Sequence, residues 1–130
     1  MVLDTSALVA LLGMEPEAER IARAIEADTT RLLSAATLVE TTLVIETRYG
    51  PAGSTHLDLL LAKAGIRIEP VTSQQADVAR EAWRHYGKGR HAASLNYGDC
   101  FSYALSRVTG ESLLFKGRGF QQTDITPLVY

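Results

Sequence analysis

The strongest constraint on this chain is the alternation of brief apolar runs with longer stretches of helical spacing. Met1–Leu3, Leu32–Leu33, the alternating run IRIEPV from residue 66, and Ser112–Phe115 read as strands, and helix-length segments separate them. Short apolar strands joined by helices call for a parallel sheet covered on both faces, an α/β architecture in three α/β/α layers. At 130 residues the chain is expected to be a single domain over 1–130, burying roughly two-thirds of its unfolded surface.

The helices announce themselves through their ends. Ser6 is placed to cap a helix through Leu12, stopped by Gly13, and Pro16 suits the first turn of another carrying Ala18, Ile21, Ala22 and Ile25. Ser34 caps AATLVETTLVIETRY, which Gly50 and Pro51 end, and Ser54 opens a leucine-bearing helix closed by Gly65. Thr72 and Gln75 form a capping-box pattern before QQADVAREAWRHY, and DCFSYALSRV from Asp99 follows the loop 87–98. Pro70 suggests an edge or exit position for its strand, and ITPLVY is a last extended piece.

Composition excludes several classes. The chain is 46% hydrophobic and 22% charged, ordinary globular values, with no apolar run near the length of a membrane span. No basic leader and cleavage site is apparent, and the lone Cys100 forbids an internal disulfide, so a soluble protein of the reducing cytoplasm is expected. A net charge of −2 argues against bulk attraction to nucleic acid and leaves room for a local basic patch.

In such a sheet, ligands collect at the carboxyl ends of the strands. Asp4 directly follows the first strand, Glu40 sits in the helix after the second, and Asp99 opens the helix after the Asn96–Gly98 turn. Taken singly, Asp99 also reads as a first-turn acid favoured by the helix dipole, and Glu40 as part of a solvated face. Asp4 is harder to dismiss, because a charge ending an apolar strand is desolvated unless something pairs with it. If the three converge to about 5 Å, each pair repels by roughly 3 kcal/mol at an effective dielectric near 20, so the site must take up protons or a cation. Oxygen ligands alone suit Mg²⁺ or Mn²⁺, and such an ion beside solvent points to phosphoryl chemistry. Ser6 either hydrogen-bonds Asp4 or a water there, or caps its helix.

Basic residues gather in two segments on the expected side: Arg84, His85, Lys88, Arg90 and His91, then Lys116 and Arg118. They suit an RNA backbone, and equally an ordinary solvated loop. Tyr97 is placed either to stack on a base or to pack. KGRGF lacks a full dinucleotide fingerprint, Cys100 reads as a small core residue, and Trp83, in step with Ala76 and Ala79, reads as core.

In order, DTSAL at Asp4, VET around Glu40, LNYGDCFSYALS around Asp99 and LLFKGRGFQQTDI resemble the PIN-domain ribonucleases, specifically the VapC-type toxins of toxin–antitoxin pairs. The resemblance spans almost the whole chain and implies a parallel sheet of about five strands and an acidic cluster binding Mg²⁺ or Mn²⁺. It also implies cleavage of structured RNA such as tRNA or rRNA, a homodimer, and inhibition by a VapB-type antitoxin whose tail fills the site. Asp4, Glu40 and Asp99 match three of the family's acids. Where relatives often carry a fourth, this chain has Arg118 and Gly119, and Asp124 is the nearest remaining acid. That departure favours one firmly held metal ion, with any second arriving with the RNA. The expected mechanism has Asp4 and Asp99 holding the ion and Glu40 orienting water or a second ion. The alternative is a non-catalytic PIN fold that binds RNA or docks an antitoxin. Aspartyl phosphatases, which need an acid where Ser6 stands, and receiver domains, which need an acidic pair after the first strand, fit less well.

Overall fold

The computed structural model describes residues 1–130. Four parallel strands, β1 (Val2–Leu3), β2 (Leu32–Ser34), β3 (Arg67–Glu69) and β4 (Leu113–Leu114), form a sheet in the order β3-β2-β1-β4. Six helices surround it: α1 (Thr5–Leu12), α2 (Ala18–Ala27), α3 (Ala35–Tyr49), α4 (Pro51–Lys63), α5 (Ser73–Tyr86) and α6 (Tyr97–Thr109). A single 3-10 turn follows at Phe120–Gln122. The expected fifth strand is not formed. The terminal ITPLVY lies beside β4 through one parallel bridge, Leu113 to Pro127, because the proline offers no donor to extend the ladder.

Side-chain alternation along strands of two or three residues divides the core between the two faces of the sheet. Val2, Leu32 and Leu113 point to one side, where they meet Ala79 and Ala82 of α5 and Tyr103, Ala104 and Leu105 of α6. Met1, Leu3, Leu33 and Leu114 point to the other, against Ala7 and Leu8 of α1, Ile21 and Ile25 of α2 and Leu57 of α4. These are the three layers that the alternation of segments implies. β3, at the sheet edge, leaves Arg67 and Ile68 exposed, in keeping with Pro70 just after it.

Several helix boundaries shift from the sequence reading. Gly50, at φ 70°, ends α3 and caps the start of α4, so Pro51 fills the first turn of α4 instead of terminating its predecessor, and Ser54 lies inside the helix. Asp4, not Ser6, caps α1. Asn96 caps α6, so the helix begins two residues before Asp99. Ser34 and Thr72 cap α3 and α5 as expected.

α3 and α4 are packed through Gly53, where an added Cβ would lie 2.6 Å from Ile45 Cγ2 and 3.2 Å from the Ile45 carbonyl oxygen. Gly53→Ala is therefore expected to destabilise the fold by about 1–3 kcal/mol, the usual cost of overpacking, read as a lower midpoint in urea unfolding with an unchanged slope. No helix is long and apolar enough to cross a membrane.

Candidate active site

The chain runs outward from β1 to β2 and β3 on one side, then returns to place β4 on β1's other side. The crevice of such a sheet opens at the carboxyl ends of the two strands flanking this reversal. Asp4 stands there, its backbone N–H donating to the Leu114 carbonyl at 3.0 Å. Its carboxylate is buried, and three donors serve it. Oδ2 accepts from the Ser6 N–H at 3.0 Å and the Ser6 hydroxyl at 2.7 Å, and Oδ1 accepts from the Ser102 hydroxyl at 2.6 Å. Ser6 in turn accepts from the Lys116 N–H at 3.0 Å, which ties the loop after β4 to the carboxylate. Of the two roles open to Ser6, the structure shows the bond to Asp4.

Glu40 projects from α3 and accepts from the Thr5 hydroxyl, which also lies 3.0 Å from the Thr41 hydroxyl. Thr41 donates to the Thr37 carbonyl at 2.8 Å. Because Thr5 gives its proton to Glu40 and Thr41 gives its own to the Thr37 carbonyl, the Thr5–Thr41 contact has no proton left to fill it. Burial pushes the Glu40 carboxyl above its ordinary range against the Thr5 hydrogen bond, with the Asp4 charge acting in the same sense as burial.

Asp99 lies at the third position of α6 and closes a capping box: its Oδ2 accepts from the Asn96 N–H at 2.9 Å while Asn96 Oδ1 accepts from the Asp99 N–H at 2.9 Å. Its carboxyl is raised to about 6, chiefly by burial, with the charges of Asp4 and Glu40 adding to it and the Asn96 N–H opposing. At the second position of α6, Gly98 faces the Glu40 carboxylate so closely that a Cβ there would lie 1.5 Å from Oε2.

Three carboxylates far apart in sequence are therefore brought together from the end of β1, from α3 and from the start of α6. None is paired with a lysine or arginine. Each turns oxygens toward hydroxyl or amide donors, and as the side chains stand no three acids are grouped closely enough to hold a metal ion between them. An all-oxygen donor set without a neighbouring lysine or arginine nevertheless suits, by its chemistry, a hard divalent cation that keeps much of its water.

The remaining sequence candidates divide. Asp124 is not part of the cluster: its Oδ1 accepts from the Tyr103 hydroxyl at 2.6 Å and its Oδ2 lies 3.6 Å from Arg107, so it fastens the terminal segment to α6. Lys116 is engaged by Glu15 and by Glu17, the latter at 3.1 Å, which raises its pKa and neutralises its charge. Lys88, Arg84, Arg90 and His91 are exposed on the loop side, with Arg90 stacked 4.0 Å over the Trp83 ring, and Arg118 is exposed after β4. Trp83 is 43% exposed and is not a core residue, because α5 buries Gln75, Ala79 and Ala82 instead. Tyr97 is 81% exposed, in edge contact with Phe101 at 4.9 Å. Cys100 is buried and its thiol is pushed up to about 11, mainly by burial, which makes it inert at neutral pH.

Sequence reasoning missed Thr5, Thr37, Gly98 and Ser102 as parts of the site. Thr5 adjoins Asp4, Thr37 precedes Glu40 by three, and Ser102 follows Asp99 by three, so helical spacing carried a signal for the last two.

The PIN domain model matches residues 1–125. Ribonuclease VapC30 of Mycobacterium tuberculosis is 58% identical over 125 residues, covering 96% of this chain and 95% of that protein. The crystal structure of VapC20 from the same species, described as a toxin cleaving the sarcin-ricin loop, superposes with a TM-score of 0.78 at 20% identity over 98% of this chain and 97% of that one. VapBC2 from Rickettsia felis, bound to a DNA fragment from its promoter, gives a TM-score of 0.75 at 12% identity over 98% and 96%. A match along nearly its full length, with identity well above what fold alone requires, shows that the chain belongs to the PIN-domain family and, within it, to the VapC ribonucleases.

Proposed function

We propose that residues 1–130 act as one domain, a toxin that hydrolyses phosphodiester bonds in structured RNA at a Mg²⁺ or Mn²⁺ held by Asp4, Glu40 and Asp99. The observation that carries this reading is the meeting of three uncompensated carboxylates at the sheet's reversal, two with raised proton affinity. When bound, the ion supplies Lewis acidity and stabilises charge building on the phosphate oxygens. Asp4, locked by Ser6 and Ser102, is the fixed ligand. Asp99, oriented by the Asn96 cap, is the second. Glu40, held by Thr5, orients the attacking water and takes its proton.

Lys88, Arg90 and Arg118 are exposed and free of carboxylate partners, which suits them to the RNA backbone, with His91 beside them. Lys116 serves through its backbone N–H on Ser6, its ammonium being occupied by Glu15 and Glu17. A cytoplasmic homodimer silenced by a VapB-type antitoxin completes the proposal, and the likeness to the Rickettsia felis VapBC2 structure supports the antitoxin partner.

The test is incubation of purified protein with total RNA in Mg²⁺, Mn²⁺ or EDTA. Discrete cuts with either ion, and none in EDTA, are the expected result. Retention of RNA without cuts in all three would replace the enzyme by an RNA-binding domain.

A further inference from the structure

Ser102 and Thr37 are both completely buried, 65 residues apart in the chain, and their hydroxyls lie 3.2 Å from each other. Neither belongs to the acidic set. Each hydroxyl has one proton to give, and that count settles the direction of the chain. Asp4 Oδ1, a carboxylate oxygen, can only accept, so the 2.6 Å bond consumes the Ser102 proton. Ser102 is then an acceptor toward Thr37, and Thr37 is the donor. The other oxygen of Asp4 has the same arrangement, with the Lys116 N–H donating to Ser6 and the Ser6 hydroxyl donating to Asp4. Both serines thus have a donor behind them that leaves the carboxylate as the only place for their proton.

We infer that Thr37 and Ser102 are positioning residues for the metal site: a buried two-hydroxyl relay from α3 to α6 that fixes the orientation of Asp4 and so sets how tightly a divalent ion is held. The inference rests on the proposed metal role of Asp4. Outer-shell partners of this kind typically change metal affinity about 10- to 100-fold when removed.

The test compares Thr37→Val, which keeps the shape of the side chain and deletes its hydroxyl, Thr37→Ser, which keeps the hydroxyl and deletes a methyl, and Ser102→Ala. Mn²⁺ binding to each intact protein is measured by calorimetry, and thermal midpoints are measured in EDTA. Thr37→Val and Ser102→Ala are expected to bind Mn²⁺ about 10-fold more weakly, while Thr37→Ser binds as the parent protein does even where its midpoint falls. Parent-like Mn²⁺ binding in Thr37→Val and Ser102→Ala would overturn the inference, as would Thr37→Ser weakening as much as Thr37→Val. A parent protein that takes up no Mn²⁺ at all would refute the metal reading itself, and the relay with it.

Discussion

Replacing Asp4 or Asp99 by asparagine is expected to reduce RNA cleavage by more than the roughly 100-fold ceiling typical of outer-shell changes, because each removes a direct charge from the site. The two variants should part company in stability. In Asp99→Asn the amide carbonyl can keep the bond from the Asn96 N–H while the side chain sheds a charge that burial disfavours. With the carboxyl raised from 3.8 to about 6, that charge costs up to about 3 kcal/mol at pH 7, so Asp99→Asn should unfold later than the parent. At position 4 the amide nitrogen cannot accept from either Ser6 or Ser102, and leaving a buried donor unserved costs about 1–3 kcal/mol. Asp4→Asn should therefore unfold earlier but still cooperatively. Urea melts in EDTA alongside cleavage assays decide the matter. Loss of folding in both would make these acids structural.

The same shift fixes a pH dependence. A carboxyl whose folded value lies above its unfolded one binds its proton more tightly in the native state, so the stabilising effect is complete below about pH 4 and is lost as the pH rises to about 6. Glu40 acts in the same direction. The metal-free parent should thus lose stability across that interval, and Asp99→Asn should lose less.

Gly98→Ala offers the second large effect, with activity and stability separated. An added Cβ would lie 1.5 Å from Glu40 Oε2, 2.3 Å from its carboxyl carbon and 2.8 Å from Oε1, so the whole carboxylate must leave its place beside α6. The displaced group is the end of a flexible side chain and alanine is the better helix former, so the fold should tolerate the change within about 1 kcal/mol. Cleavage should fall about 100-fold or more, as positioning of the attacking water is lost. Paired thermal melts and single-turnover cleavage rates check it. An unchanged rate would remove Glu40 from the chemistry.

Much of the frame was legible because it depends on local signals. The apolar runs marked the strands, and the Ser34 and Thr72 caps marked the starts of α3 and α5. The positions of Asp4, Glu40 and Asp99 relative to the elements placed them on one rim. Departures arise where one residue has two compatible uses. Gly50 and Pro51 are as good a beginning as an ending, and Asn96 caps as readily as it turns. Trp83 misleads because a three-to-four spacing fits neighbouring stripes of one helix, and only packing shows that Gln75, Ala79 and Ala82 face inward. The fates of Lys116 and Asp124 were invisible for a different reason: their partners, Glu15 with Glu17 and Tyr103 with Arg107, are chosen by the tertiary fold. The Thr37–Ser102 pair is of the same kind.

The fastening of Asp4 by Ser102 and, through Ser6, by the Lys116 amide has a consequence for biosynthesis. These contacts join residues 98 and 110 positions apart, so a growing polypeptide holds Asp4 and Ser6 long before it holds Ser102 or the Lys116 amide that completes their hydrogen bonds. The ribosome making such a nuclease faces a product whose Asp4 is not fully fastened until residues 102 and 116 have emerged. That interval is built into the order of translation.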